Sequence, residues 1–579
     1  MPTMNARASN LSLPQYGYDL VVATTQDAVN ATTKEFLSAF TGKEFVACYK
    51  FVDEGHQAEP LDYNEVKRAI GGTDPFTIRN GDNQNPKLKA LDDLGFEFAF
   101  RAKMGLPPGL APTAIPDVVV LDQGSATVTY QLFFAEFDIL VLDERRRALF
   151  WTNLSQPSGA PWVFKFNVSL DMRTGGDTAF SKLPPGVQEK VKNLNPGSAF
   201  SVQQLYLDLN TAGLQSAPDI VGLDKSSTAY VALTRIFLNT YWRKLQEARG
   251  DVLLGYTVTP DKPNPRTPSL VPTDLTIEVS PNVDAEGHAT KKYELYTLDY
   301  LVMSDNHVLP APVPFNWNWV SESEEADFHG AMAIKKARFA SYLNQVLSPS
   351  LNQICVVPHC TVSFPDLPPP KFKGIKFTAS YSREGASQTY RIVSDGSSKV
   401  LTFSYENKSS DEGVSLPLWG KYSFNCSTQS EVFLENNVIR TSTLFNCHVF
   451  INAEGFTTEG NYARFKVDTS YLINVDSQGN LVVKLAEGSP KLDDQSETPD
   501  PNFILKLFSG GQITSDINKL KGFLSGIRNF LTGHDQSILN IINGSSAWVF
   551  PGAQTFVYKD IYFSDHQDLV THITYVDPT

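Results

Sequence analysis

The sequence is poor in the features that mark several common classes of protein. Its 579 residues contain five cysteines, an odd number that is too small for a disulfide framework. Acidic residues outnumber basic ones by 63 to 49, which gives a formal net charge of −14. Because binding to phosphates requires a basic face, nucleic acid is excluded as a main partner.

Long apolar runs are absent as well. No segment reaches the roughly 18 apolar residues of a membrane-spanning helix, so no transmembrane segment is predicted. Residues 1–20 also lack the apolar run of about 7–15 residues that a secretory signal contains. We therefore predict reduced cysteines and a cytoplasmic location, and leave release by a non-classical route open.

The common catalytic motifs do not occur. There is no G-x-S-x-G elbow, Walker loop, G-x-G-x-x-G or H-E-x-x-H, which removes the usual hydrolase, kinase, dehydrogenase and metalloprotease classes. Cys355, His359 and Cys360 together with Cys447 and His448 could offer zinc ligands. However, they lack C-x-x-C spacing and lie in apolar, strand-like sequence, so we interpret them as core residues and predict no metal and no cofactor.

One hydrolase hypothesis stays open on the residues near the C-terminus. Ser564, Asp565 and His566 are consecutive, with Asp568 and His572 close behind. The members of a catalytic triad meet in space and seldom lie side by side in sequence. A turn is therefore the favoured interpretation of this group, and a non-enzymatic protein is the favoured class.

Aromatic and strand-forming residues are abundant instead. Phe (37) and Tyr (22) contribute strongly to an apolar fraction of 41%. Residues 162–170 alternate, with Phe164 and Phe166 on the apolar face. Residues 355–485 form short alternating runs with turn residues between them, as in an antiparallel meander.

Helical spacing is confined to four segments, predicted at 21–41, 227–248, 331–347 and 512–532. The last is the clearest, because its aliphatic residues are spaced by 4, 3, 4, 3 and 4 and so share one stripe. These residues are Ile513, Ile517, Leu520, Leu524, Ile527 and Leu531.

Together these patterns predict a β-rich α+β fold in which long curved antiparallel sheets wrap around long amphipathic helices. We expect two helix-plus-sheet units, 1–260 and 261–579, or one continuous elongated fold. The side chains facing inward would line an apolar groove, although a filled core requires the same pattern. The candidates are Val29, Phe36, Phe164, Phe166, Trp317, Trp319, Phe339, Leu343, Ile517, Leu520, Leu524 and Ile527.

Two stretches of sequence carry a resemblance to a known family. Residues 16–21 (YGYDLV), with a helix that contains Val29 and Asn30, form the first. Residues 300–320, which end in VPFNWNWV, and the following HGAMAI form the second. They resemble the TULIP-like (tubular lipid-binding) accessory proteins of clostridial neurotoxin gene clusters.

The resemblance implies a curved antiparallel sheet wrapped lengthwise around helices, and relatives in that superfamily bind or transfer lipids in the resulting groove. It supplies no catalytic residues. The leading hypothesis is a soluble, non-enzymatic lipid-binding or membrane-peripheral protein. The alternatives are a protein-interaction or toxin-assembly component with a packed interior, and a hydrolase with an unrecognised site.

Overall fold

The structure is a computed structural model. It describes residues 5–39, 44–51, 58–110, 114–124, 127–175, 200–208, 219–236, 253–260, 270, 272–366, 373–453, 455–477, 479, 481–497, 513–532, 548–549 and 556–575. Every strand pair within these residues is antiparallel, and the strands form five sheets. The prediction of a β-rich fold with several antiparallel sheets is confirmed.

The described part of the chain contains six α-helices. They are α1 (Gln26–Ala39), α2 (Tyr63–Ala69), α3 (Pro86–Asp93), α4 (228–236), α5 (Lys336–Asn352) and α6 (Ile513–Thr532). Short 3-10 turns occur at Ala6–Ala8, Pro75–Thr77 and Tyr293–Leu295.

A seven-stranded sheet, here called the central sheet, combines strands from distant parts of the sequence. Its strands are β1 (Leu20–Thr25), β13 (Pro272–Ser280), β14 (Thr297–Ser304), β15 (Gly330–Ile334), β26 (Phe556–Tyr558), β27 (Tyr562–Phe563) and β28 (Leu569–Tyr575). The order is β13-β14-β1-β15-β28-β26, with β27 beside β28. Every residue of β1, β14 and β15 is buried, so this sheet is covered on both faces.

Two further sheets lie in the first half of the chain. The five-stranded sheet contains β2 (Glu44–Phe51), β3 (Ala58–Leu61), β4 (Phe98–Met104), β7 (Phe134–Arg145) and β8 (Ala148–Ser155). The aromatic sheet contains β5 (Val119–Val120), β6 (Thr127–Leu132), β9 (Val163–Gly175), β10 (Phe200–Asp208), β11 (Asp219–Val221), β12 (Leu253–Pro260) and β25 (Trp548–Val549). Strands β12 and β25 pair across nearly 300 residues of sequence.

The meander predicted within 355–485 is confirmed. The meander sheet contains β18 (Thr389–Ile392), β19 (Lys399–Ser415), β20 (Leu418–Glu435), β21 (Val438–Ala453), β22 (Phe456–Val475), β23 (Leu481–Leu485) and β24 (Lys491–Asp494). A small sheet of β16 (Val357–Ser363) and β17 (Lys376–Ser382) packs against β19 and β20. Burial alternates along β20 and β21, so one face of the meander sheet is covered and the other is wetter.

Two predicted helices begin later than expected. Residues 21–25 belong to β1 and residues 331–334 to β15, so these parts of the 21–41 and 331–347 predictions are wrong. Both strands are buried on both faces and therefore show no alternation of apolar and polar residues. Helix α5 also continues past residue 347, the predicted end, and includes Pro349.

The other two helices agree with expectation where the structure describes them. Helix α6 matches the predicted 512–532 segment. Helix α4 covers the first part of the predicted 227–248 helix, and the rest of that prediction lies outside the described residues. Strands from both sides of residue 260 share the central sheet, and the division into two units stays a prediction.

The buried apolar side chains form four clusters. The main cluster joins the central, aromatic and five-stranded sheets with α1, α5 and one end of the meander sheet. The meander cluster lies between the other end of the meander sheet, the small sheet and α6. The tryptophan cluster covers the second face of the central sheet. A fourth cluster packs α2 and α3 on the five-stranded sheet.

Candidate apolar binding site

Five of the predicted groove residues meet in the main cluster, where aromatic rings surround them. They are Val29, Phe164, Phe166, Phe339 and Leu343. The ring of Phe164 lies 5.2 Å from that of Phe137 and 5.6 Å from that of Phe134, measured between centroids. These are the separations of rings in direct contact, so this region is filled by its own side chains.

Trp317 and Trp319 lie elsewhere, on the opposite face of the central sheet. Their ring centroids are 5.5 Å apart in an edge-on arrangement, and both rings are almost fully buried. The two faces of β1 belong to different clusters, since Val21 contacts the tryptophan cluster and Val22 contacts the main cluster. The tryptophans therefore share no interior with the five residues of the main cluster.

Helix α6 brings two more predicted residues to the meander cluster. Leu524 and Ile527 are buried there, while Phe530 on the same helix is 38% exposed. The helix packs against β17 and β22 and so covers part of the apolar face of the meander sheet. Ile517 and Leu520 also belong to α6, and Phe36 belongs to α1, but these three side chains lie outside the described part of the structure.

The face of the meander sheet beneath α6 combines large rings with small side chains. Phe445 and Phe465 stack with centroids 6.3 Å apart, beside Cys447 and Ala463. Side chains that differ this much in length leave an uneven apolar surface for α6 to cover. In this region two residues of the predicted helix stripe, Leu524 and Ile527, contact the apolar face of a sheet.

Hydroxyl groups interrupt this apolar face in the middle of the long strands. Thr428, Ser430, Thr443 and Thr469 are buried there. Thr443 Oγ1 donates to Ser430 Oγ at 3.0 Å, and Thr428 Oγ1 donates to the carbonyl oxygen of Ile354 at 3.4 Å. These four residues, the hydroxyl belt, separate the meander cluster from the part of the sheet that belongs to the main cluster.

The cysteines behave as small buried side chains. All five are free and buried, and Cys426 lies directly opposite Cys447 on neighbouring strands. Burial raises the pKa of Cys355 to about 11, and the contact with Cys426 and burial raise the pKa of Cys447 well above its usual value. Among the described residues no three His, Cys, Asp or Glu side chains come close enough to hold a metal ion.

The residues of the hydrolase hypothesis lie in a turn that is hydrogen-bonded to distant parts of the chain. Ser564 Oγ donates to the carbonyl oxygen of Ser9 at 2.8 Å, and His566 is exposed. Asp568 is fully buried and accepts hydrogen bonds from Ser9 Oγ and from the amides of Leu11 and Lys336. Since Lys336 is the first residue of α5, Asp568 also caps that helix from the turn before β28.

A second buried carboxyl group lies under the tryptophans. Asp299 in β14 is opposite Glu278 in β13 and near Trp319. Burial raises the pKa of Asp299 to about 8, and neither of its carboxyl oxygens has a hydrogen-bond partner within the described part of the chain. Burial raises the pKa of Glu278 as well.

Sequence reasoning missed Asp299, and it placed Asp568 in the hydrolase group without its hydrogen bonds to Ser9, Leu11 and Lys336. It also missed Leu416, which is 88% exposed at the turn between β19 and β20. A signal for Leu416 was present, because SLPLWGK places apolar residues where a turn normally carries polar ones.

The fold and the site define a β-rich protein of several antiparallel sheets with apolar clusters between them. Its described helices include none that is long and apolar enough to cross a membrane. No protein-family model matches the chain, and no curated protein matches it either.

Solved structures do show a weak overall similarity. P47 of Clostridium botulinum E1 aligns with a TM-score of 0.44 at 9% identity, over 97% of this chain and 99% of that chain. P47 from Clostridium botulinum A2 aligns with a TM-score of 0.43 at 10% identity, over 97% and 98%. A lipopolysaccharide binding protein aligns with a TM-score of 0.26 at 9% identity, over 97% and 99%. Similarity at this level does not assign a function.

Proposed function

We propose that this protein is non-enzymatic and holds an amphipathic lipid between α6 and the meander sheet. The observation that carries the proposal is the burial of Leu524 and Ile527 of α6 against the apolar face of that sheet. Among the described side chains of this helix, Leu524 and Ile527 are buried, whereas Gly522, Ser525 and Phe530 are exposed. Displacing α6 would therefore uncover an apolar surface without opening the main cluster.

The chemistry of the meander face suits a ligand with an apolar tail and a polar end. Each methylene of an acyl chain contributes about 0.8 kcal/mol when it leaves water for such a surface. At the edge of this surface the hydroxyl belt, which includes Thr428 and Thr443, offers hydroxyl oxygens that can accept a hydrogen bond from a hydroxyl group of the ligand, since the O–H groups of these two residues already donate within the protein. A lipid with its tail under α6 and its polar end near the hydroxyl belt would contact both the apolar face and the hydroxyl groups.

The proposal also includes the shape of the meander sheet, the location of the protein and the absence of catalysis. The meander sheet would curve over α6, as in the TULIP-like proteins that the sequence resembles, and the protein would act in the cytoplasm. The absence of catalysis belongs to the proposal because Ser564, the nucleophile of the hydrolase hypothesis, is engaged with Ser9. Turnover that is lost on mutation of His566 or His572 would contradict this part.

A second candidate is a protein-interaction component with a packed interior. The ring contacts around Phe137 and Phe164 favour it, because they fill that part of the main cluster. Under this alternative the meander cluster would be filled in the same way.

The decisive experiment is native purification, extraction with organic solvent and mass spectrometry of bound lipid. We expect a stoichiometric lipid in the wild type, and a loss in Leu524→Asn that exceeds the loss of thermal stability. Ser525→Asn is the matched control, since Ser525 is exposed on the same helix. An empty extract from folded wild-type protein would refute lipid binding, and equal losses of lipid and stability would show that α6 is ordinary core.

A further inference from the structure

The hairpin between β19 and β20 ends in an exposed apolar group. These strands have 17 and 18 residues and pair along almost their whole length, up to Ser415 and Leu418. Leu416 and Pro417 form the turn, and both are exposed. Leu416, at 88% exposure, and Val414, at 61%, bring aliphatic side chains to the end of the hairpin.

The outer face of the hairpin changes from apolar to charged in an ordered way. Behind the turn, Val414 lies opposite Trp419, and two positions further back Glu412 lies opposite Lys421. Trp419 Nε1 donates to Glu412 Oε1 at 3.3 Å, and Lys421 Nζ lies 3.4 Å from Glu412 Oε2. The indole therefore presents its ring toward the turn region and its polar group toward the charged pair.

The inner face of the hairpin end is also apolar. A Cβ atom on Gly413 would lie 2.7 Å from the ring of Phe364, so the ring rests directly on the backbone. One on Gly420 would lie 3.1 to 3.3 Å from side chains of Phe377, Ile375 and Val362. Support from β16 and β17 holds the turn in place at the end of the sheet.

We propose that this end of the hairpin, Val414–Trp419, inserts into the surface of a lipid bilayer. The charged pair lies two residues behind Val414 and Trp419, about 7 Å along the strand. Amphipathic elements enter the boundary between headgroups and acyl chains to a depth of about 5–10 Å. Leu416 and Val414 would then reach the acyl chains, Trp419 the interface, and Glu412 with Lys421 the headgroups.

Shape and charge favour a bilayer over a protein partner. The group is convex, and a bilayer deforms around a convex apolar end, whereas a protein would need a matching cavity. The charged pair nearest the turn, Glu412 and Lys421, is neutral in sum, and the chain carries a formal charge of −14. An anionic surface would repel such a protein, so insertion by apolar contact favours zwitterionic lipid.

Flotation of the full-length protein with phosphatidylcholine vesicles tests the proposal. We expect the wild type to float at both low and high salt. Leu416→Glu should weaken binding by at least about tenfold, since a leucine side chain loses its transfer from water. Val308→Glu is the matched control, because Val308 is 90% exposed at another site, and it should float like the wild type.

A spectroscopic readout gives the depth of insertion independently. All five native cysteines are buried, so a cysteine introduced at position 416 can be labelled selectively with a polarity-sensitive fluorophore. We expect a blue shift on vesicles for labelled Leu416→Cys and none for labelled Val308→Cys. Equal spectra at the two positions would overturn the proposal.

The remaining outcomes separate this proposal from its rivals and from the proposed lipid site. Flotation that needs anionic lipid and vanishes at high salt would refute apolar insertion. If the protein does not float but forms a dimer, and Leu416→Glu abolishes that dimer, the proposal is overturned. The hairpin end would then bind a second copy of the chain. The proposal concerns the surface and goes beyond lipid held under α6, so Leu416→Glu should retain extracted lipid while Leu524→Asn should still float.

Discussion

The central sheet and the meander sheet differ in how many of their faces are buried. The central sheet is buried on both faces, by the main cluster on one side and the tryptophan cluster on the other. The meander sheet is covered on one face by the small sheet and α6, and its other face is half-exposed. The central sheet therefore holds distant segments together, whereas the meander sheet has one face that the small sheet and α6 cover.

The largest expected effect is the removal of a tryptophan from the cover of the central sheet. Trp319→Ala should lower the free energy of unfolding by about 3–5 kcal/mol, because a fully buried ring leaves a cavity. Chemical denaturation measures this loss. Trp419→Ala at the hairpin end of the meander sheet is the control and should cost about 1 kcal/mol or less. Similar losses would show that the two sheets depend equally on their aromatic residues.

A smaller effect should follow from weakening the cover of the meander sheet. Ile527→Ala should lower the free energy of unfolding by about 2–4 kcal/mol, since Ile527 is fully buried in the meander cluster. Hydrogen exchange should show faster opening in α6 and β22, with β1 and β14 unchanged. Faster exchange in β1 and β14 would mean that the two sheets open together.

The free energy of unfolding should depend on pH because of Asp299, the buried carboxyl group of the central sheet. The pKa of Asp299 is raised from its usual 3.8 to about 8, so the folded protein keeps this proton where the unfolded chain has lost it. The stability that this proton contributes is fully present below pH 3.8 and is lost as pH rises to about 8. Each pH unit within this window costs up to about 1.36 kcal/mol.

Asp299→Asn should remove that dependence and raise the free energy of unfolding at pH 8 by about 1–2 kcal/mol or more. The measurement is denaturant unfolding of both proteins at several pH values, with the difference between them plotted against pH. Asp568 also titrates with a raised pKa and contributes equally to both curves, whereas the charge of Glu278, opposite Asp299, helps to raise the pKa of Asp299 and belongs to the measured difference. A difference that does not grow with pH would contradict the assignment.

The smallest expected effect is at the hairpin end. Leu416→Ser should change the free energy of unfolding by no more than about 0.5 kcal/mol, since the side chain is exposed. Thermal unfolding in buffer without vesicles measures it. A substantial loss would mean that Leu416 packs within the protein and that the meander sheet has no free apolar end.

How far the sequence predicts the fold depends on how each element is buried. Helix α6 and the long strand β21 each have one buried face, so their periods of 3.6 and 2 are visible in the sequence. Strands β1 and β15 are buried on both faces and lose the alternation, which is why helices were predicted there. The errors at the predicted starts of these two helices therefore fall on the central sheet.

For the candidate site the limit is different. Phe164, Trp317 and Leu524 each satisfy the same local rule, an apolar residue on a regular face, yet they belong to three separate clusters. Which clusters form depends on strand pairing between residues hundreds of positions apart, and local periodicity does not encode this. The sequence therefore predicts that these residues are buried, but it does not predict which of them lie together.

The pairing of β1 sets an order of events during synthesis. This strand emerges from the ribosome early, but its partners β14 and β15 follow about 275 and 310 residues later. Asp568, which fastens Ser9 and Leu11, emerges later still. At about 5–20 residues per second, the N-terminal segment waits for tens of seconds with its apolar residues uncovered. The strands of the meander sheet pair with strands that are close in sequence and can pair as they are made, so β1 is enclosed after strands that are translated later.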